Sequence, residues 1–470
     1  MTRSALLALA LVAGIAAGSA CATPPPFDLV VANGRVLDPE TGLDAVRNVG
    51  IRDGRIALVT TDPLMGRATI DASGLVVAPG FIDIHAHGQT AETYRYQARD
   101  GVTTAFELEL GTSDVDGWYA ARTGSLINHG VSIGHIPVRM AVMRDPGRIF
   151  PTADAAHRAA SAAEVEEITR RIEEGIRKGA VGIGAGFPYT PGASREELLA
   201  VFGIAAKQRV SVHAHIRGGV AGLDEALKLA DEAGAALHVV HINSTGTSAT
   251  PELLQTIESA RARGLDVTTE AYPYAAGMTE IQSANLDSYQ NAAGERLALL
   301  EWPRTGERLT PDSFRKYRLA GGPVVIHTNT EPMVAAAVSS PLTIVASDSY
   351  WDKGTGHPRT TGTFSRVLGR YVREAASLTL MDAIRKMTLM PARRLEGHVP
   401  AMKTKGRLRE TADADITVFD AARVIDRSTY REPGLPPIGI KHVIVNGVPV
   451  VAGEQIVDGV APGRGVKAMP

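Results

Sequence analysis

The segment Leu75–Gly88 reads LVVAPGFIDIHAHG: an apolar run, a Pro-Gly turn, then a second strand-like run ending in two histidines one residue apart. In a β-strand, residues i and i+2 share a face, so His85 and His87 leave the strand on the same side, separated by Ala86. That geometry suits a metal ion, and it equally suits two buried imidazoles that satisfy each other's hydrogen bonds. The rest of the chain has to choose between the two.

Downstream, short apolar runs alternate with helical stretches. SREELLAVFGIAAKQ opens on Ser194 with Glu197 three residues later, the spacing of a capping box, and leads into RVSVHAHI. GLDEALKLADEAG feeds AALHVVHIN, and PELLQTIESARARG feeds LDVTTEAY. This repeat predicts a parallel sheet. Strands are expected near Phe81, Val102, His135, Ala180, Val210, Leu237, Asp266, Val324 and Leu342, one more than a (β/α)8 barrel takes. VVIHTN, from Val324, is assigned to an insertion over about 275–330, whose apolar and aromatic residues among turns suggest a folded lid.

Two β-rich pieces, 27–78 and 400–462, flank this region. Asn33-Gly34 and Asp53-Gly54 are expected to turn hairpins in the first, and ADITVFD and IKHVIVNGVPVVAGEQIV continue the style in the second. The expected architecture is therefore α/β: a (β/α)8 TIM-like barrel over 79–399, with a small β-sandwich built from both chain ends.

The chain begins MTRSALLALALVAGIAAGSACATPPP: a basic start, an apolar stretch from Ala5 to about Gly18, then small residues. This is the layout of a secretory signal peptide over 1–22, too short in its apolar core to be a comfortable membrane span. Cleavage is expected after Ala22, or before Cys21 with a lipid anchor on that cysteine. GSAC resembles a bacterial lipoprotein signal but lacks the usual leucine three residues before the cysteine. The protein is accordingly expected to be exported, as a periplasmic protein or a membrane-anchored lipoprotein. Cys21 is the only cysteine, which leaves no intramolecular disulfide and no other thiolate for catalysis. A net charge of −2 without a long basic run argues against nucleic acid as partner and towards a small-molecule substrate.

In a (β/α)8 barrel the carboxyl ends of the strands form the active face. His85 and His87 end the first expected strand, Glu107 and Glu109 the second, His213 and His215 the fifth, His238 and His241 the sixth, and Asp348 the last. Burying so many ionisable groups is costly unless a cation offsets their charge. Imidazole and carboxylate donors without sulfur suit Zn²⁺, one or two ions, with Mn²⁺, Co²⁺ or Fe²⁺ compatible by ligand type. The residue nearer the strand end is expected to be the ligand, which favours Glu109, His215 and His241. His213 and His238 lie deeper, as supporting or core histidines.

With these residues in view, the chain is similar to the amidohydrolase superfamily: GLVVAPGFIDIHAHG matches its first-strand signature. GVTTAFELELG, AVGIGAGFPYTPG, EAYPYAAGMT, SDSYWDKGTGHPRTTGTFSRVLGRYVRE, MTLMPARRL and ADITVFD resemble its N-acyl-D-amino-acid deacylase (D-aminoacylase) branch. The resemblance implies that His85 and His87 ligate the more buried metal, His215 and His241 the second, and that Asp348 is the catalytic acid/base. D-aminoacylases carry a cysteine where this chain has FELELG, so Glu109, with Glu107 as the alternative, takes the bridging position. They also tend to carry a lysine at Asn243. Tyr189 resembles the branch's substrate-contacting tyrosine, and Arg359, with Arg217 behind it, offers a fork for a substrate carboxylate. The implied activity is metal-dependent hydrolysis of N-acyl-D-amino acids. The alternatives are a related hydrolase of dipeptides, cyclic amides or lactones, and a catalytically silent exported binding protein on the same frame.

Overall fold

The structure, a computed structural model, describes residues 27–469; the expected signal segment and Cys21 lie outside them. Eight parallel strands form the central sheet, in chain order Phe81–Asp83, Val102–Thr112, Asn128–Gly134, Ile183–Gly186, Ser211–His215, Ala236–Val239, Val267–Ala271 and Thr343–Val345. The first and last strands meet through a short seam: Ala86 bridges Ser349 in parallel, the His87 N–H donates to Ser349 O at 3.1 Å, and the Ser347 N–H donates to Asp83 Oδ1 at 3.0 Å. This seam brings the two histidines of the opening segment beside Asp348.

Helices cover the barrel wherever an apolar stripe recurs every three or four residues. Ala162–Arg177 starts on a full capping box between Ser161 and Glu164 and buries Ile168, Ile172, Gly175 and Ile176. A Cβ at Gly175 would lie 2.5 Å from the Ile133 side chain, so the glycine lets helix and strand approach closely. At Arg195–Gln208 only half the expected box forms. Ser194 accepts from the Glu197 N–H at 3.2 Å, but the Glu197 carboxylate turns inward to His135 Nε2 at 2.8 Å and to Arg139. Two buried donors, His135 and the Arg139 guanidinium, hold that carboxylate in place of the half-buried cap N–H.

The third strand differs from expectation: it is Asn128–Gly134, and His135 opens the helix His135–Met143. Its sequence hides it, because Asn128, His129 and Ser132 look like loop residues. Each is buried on a particular partner: Asn128 Nδ2 donates to Asp415 at 3.0 Å, His129 Nδ1 lies 2.7 Å from Ser125 Oγ, and Ser132 Oγ donates to Leu108 O at 2.9 Å.

The chain ends build one continuous nine-stranded sheet, joined where Ile416–Phe419 runs antiparallel to Val76–Pro79. Asp53-Gly54 turns a hairpin between Leu43–Arg52 and Arg55–Thr60. Asn33-Gly34 does not: it lies inside the single strand Phe27–Asp38 as a bulge. Asn33 adopts φ 62° and its N–H donates to Asn48 Oδ1 at 2.8 Å, while a Cβ at Gly34 would sit 2.3 Å from Val77 Cγ2. The same left-handed preference that makes Asn-Gly a turn also makes it a bulge.

VVIHTN lies outside the barrel. Pro323–Ile326 pairs antiparallel with Gly277–Glu280 and Leu300–Trp302 in a separate four-stranded sheet with its own core, including Leu286, Trp302, Leu309 and Phe314. This subdomain overhangs the carboxyl ends of the barrel strands. At the opposite end, Val466 and Ala468 pack with Ile82, Phe106, Leu395 and Met402, so the last residues help plug the barrel floor.

Candidate active site

The strand ends converge beneath a cavity of about 1030 Å³, walled by barrel loops and by the overhanging sheet. His85, His87, Glu109 and Asp348 bring one donor atom each within 4.8 Å of one another, and so do Glu109, His215 and His241. Glu109 belongs to both groups. Its Oε2 lies 2.7 Å from His85 Nε2 and 3.2 Å from His87 Nε2, while its Oε1 lies 2.8 Å from His215 Nδ1. His241 Nε2 completes the second group, 3.1 Å from His215 Nδ1.

Backbone strain helps to aim these groups. His241 and Asp348 take positive φ, 33° and 50°, a conformation that costs a non-glycine residue on the order of 1–3 kcal/mol and persists where surrounding structure enforces it. Asp348 Oδ1 lies 3.5 Å from His85 Nε2 and 3.3 Å from His87 Nε2. Its Oδ2 faces Arg359 Nη2 at 2.9 Å.

Two carboxylates outside the converging groups set the histidine tautomers. Glu270, on the seventh strand, takes the Nδ1–H of His85 and holds His238 Nε2 at 3.0 Å; Glu107 holds His87 Nδ1 at 2.9 Å. Each bond leaves an Nε2 lone pair facing the centre, the form that ligates a cation. The carboxylates here demand positive charge, and a proton on His85 answers that demand where a cation on its lone pair otherwise would. Burial disfavours a charged His85, yet Glu270 and Asp348 override it and raise its pKa to about 10. Burial also works against the Asp348 carboxylate, but Arg359 and His85 hold it at about 2. His241 moves the other way, lowered to about 3 by burial and by His215, which keeps its ring neutral. A centre with this demand for positive charge and these oriented lone pairs fits a divalent cation.

Sequence reasoning missed Glu270. An acid at the end of the strand in LDVTTEAY carries the same signal as Glu109, but no histidine beside it in sequence marks it as part of the site. Glu270→Gln is expected to weaken divalent-metal binding about 10–100-fold, because one amide cannot accept from both His85 and His238. Competition with a chelating dye measures this; unchanged affinity would show that the His85 tautomer is set by another group.

The remaining candidates separate. Tyr189 lies on the cavity wall, stacked on Phe150 at 3.9 Å and edge-on to His215 at 5.1 Å, its hydroxyl 3.3 Å from Thr279 Oγ1. Arg217 also reaches the wall but pairs with Glu225. Arg359 is buried behind Asp348, its guanidinium 4.6 Å from the Tyr272 ring centre. Asn243 is corrected: both ends of its buried amide engage the main chain of Tyr272, donating to its O at 3.2 Å and accepting from its N–H at 3.4 Å. Its side chain braces Tyr272, which removes it from the substrate-binding set. Glu107 serves His87 from outside, and His213 lies against Ser211, 2.9 Å from its Oγ.

A parallel barrel that gathers imidazoles and carboxylates at the carboxyl ends of its strands, under a deep cavity, is the frame of a metal-dependent hydrolase. The chain belongs to the amidohydrolase family, which it matches over residues 68–124 and 147–451. It is 32% identical to the N-acyl-D-glutamate deacylase of Alcaligenes xylosoxydans xylosoxydans, covering 90% of this chain and 93% of that one. To the D-aminoacylase of the same organism it is 30% identical, covering 93% and 97%. Among solved structures, N-acyl-D-glutamate deacylase from Bordetella bronchiseptica, complexed with zinc and a phosphonate mimic of the tetrahedral intermediate, superposes with a TM-score of 0.82. That match has 28% identity and covers 94% of this chain and all of that one.

Proposed function

We propose that this protein is a metal-dependent deacylase that hydrolyses the amide bond of N-acyl-D-amino acids, with zinc as its metal. The observation that carries the reading is Glu109, whose two oxygens face two separate donor groups directly beneath the cavity and beside Asp348. The deacylase relatives and the zinc-bound neighbour support it.

His85, His87, His215 and His241 would hold one or two ions, with Glu109 between them. When bound, a divalent cation supplies Lewis acidity to the scissile carbonyl and makes water acidic enough to attack near neutral pH. Asp348 does the proton work: Oδ1 faces the centre and takes the proton of the attacking water, then returns it to the leaving nitrogen. Arg359 holds the other oxygen, which keeps the carboxylate charged and fixed in direction. Tyr189 offers its hydroxyl to the developing oxyanion. Arg359 faces Asp348 through Nη2, and its buried Nε and Nη1 have no hydrogen-bond partner among the described residues. A substrate α-carboxylate docking beside Asp348 would give these donors the acceptor they lack.

The test is release of free amine from matched N-acetyl-D- and N-acetyl-L-amino acids by zinc-loaded protein. Turnover confined to the D series is the expected result. Turnover of dipeptides, cyclic amides or lactones alone would reassign the substrate, and binding without turnover of any of them would make the chain a silent binder.

Export belongs to the same proposal and rests on the N-terminal sequence. Intact mass of the protein from its native fractions is expected to show loss of about the first twenty residues. A diacylglycerol mass on Cys21 would select the lipoprotein route, and a product retaining Met1 would overturn export.

A further inference from the structure

A second pocket, of about 360 Å³, opens beside the main cavity and shares part of its wall: Arg148, Phe150, Glu280 and Asp352 line both. It lies between the 145–152 segment, the overhanging sheet and the small hairpin at 351–356. Its carboxylates are already engaged. Arg148 Nη2 lies 3.4 Å from Asp352 and 3.8 Å from Glu280, and Glu280 also accepts from Tyr350 Oη at 2.6 Å. Its other cations are not. Arg304 and Lys353, both exposed, line this pocket and have no carboxylate partner among the described residues. On the inner wall, Ser283 is fully buried, its hydroxyl has no hydrogen-bond partner, and it does not cap the turn it precedes.

Unpaired cations and an orphaned hydroxyl around one concavity call for an anionic oxygen ligand. The layout of the active site says which part of a substrate arrives there. Resting on the deacylase reading, the α-carboxylate lies towards Arg359 and Tyr272, and the carbonyl lies under Tyr189. The acyl chain then leaves the carbonyl along Tyr189 and its stacking partner Phe150, and Phe150 is the wall shared with the second pocket.

We infer that this pocket is an acyl-arm subsite, selecting substrates whose N-acyl group ends in a carboxylate. Arg304 and Lys353 supply the charge and Ser283 a hydrogen bond. None of the three lines the main cavity, so the subsite leaves short acyl groups untouched.

The experiment compares acyl arms on whichever D-amino acid is deacylated fastest: glutaryl against pentanoyl and adipoyl against hexanoyl, pairs that exchange a terminal carboxylate for a methyl, with acetyl as reference. Zinc-loaded enzyme is expected to favour the carboxylate member of at least one pair by about tenfold in kcat/KM, the scale of one charge-assisted hydrogen bond. Arg304→Ala with Lys353→Ala should remove that preference and leave N-acetyl turnover unchanged. Equal rates within both pairs, or a preference that survives the double variant, would overturn the subsite. Should no N-acyl-D-amino acid be hydrolysed, the deacylase reading fails by itself. Calorimetric binding of the same arms on D-leucine to wild type and double variant then decides the pocket: tighter binding of the carboxylate arm, lost in the variant, upholds it, and equal binding rejects it.

Discussion

Asp348→Asn is expected to keep its metal and lose about 10²–10⁴-fold in kcat, the usual cost of removing a positioned acid/base group. Asparagine matches aspartate in shape, but its amide cannot carry a proton from water to the leaving nitrogen. The side chain also faces Arg359 at 2.9 Å, a fully buried guanidinium against a carboxylate at the cavity floor. Removing its charge leaves a buried guanidinium uncompensated, a change that costs about 3–5 kcal/mol in other buried pairs. A lower Tm is therefore expected together with the lost turnover. Metal content, Tm and turnover read on one sample separate the explanations. Metal lost in step with activity would make Asp348 chiefly a ligand, and near-normal turnover with full metal would remove it from the mechanism.

Glu109→Ala is expected to lower metal content far more than Glu107→Ala. Glu109 alone faces both donor groups, so its loss opens both, whereas Glu107 acts only through the Nδ1 of His87. The loss at Glu107 should stay within the roughly 10–100-fold range of an orienting partner, and the loss at Glu109 should exceed it. Elemental analysis after dialysis against graded chelator measures both. The reverse order would exchange the roles of the two glutamates.

Much of this was legible along the chain because strand periodicity is a local property. A period of two places His85 and His87 on one face, as it does Glu107 and Glu109, and the alternation of strands with helices points to a barrel whose carboxyl ends carry the chemistry. Other features were not legible because they are set by partners distant in sequence. The strand Asn128–Gly134 reads as a loop until Asp415 and Leu108 are seen to satisfy its polar side chains. Asn33-Gly34 signals a positive φ, and only the sheet around it decides between turn and bulge.

The site divides in the same way. Residue type and spacing by themselves determined that imidazoles and carboxylates crowd one end of a barrel, because that follows from the side-chain period along each strand. Only the tertiary structure decided their directions. Glu270, from a strand far along the chain, fixes the tautomer of His85, and the seam between first and last strands sets Asp348 against both histidines. Asn243 is turned away to brace Tyr272. A hydrogen bond's direction depends on where its partner's atoms lie, and here those partners are separated by up to more than two hundred residues and brought together only by the closed barrel.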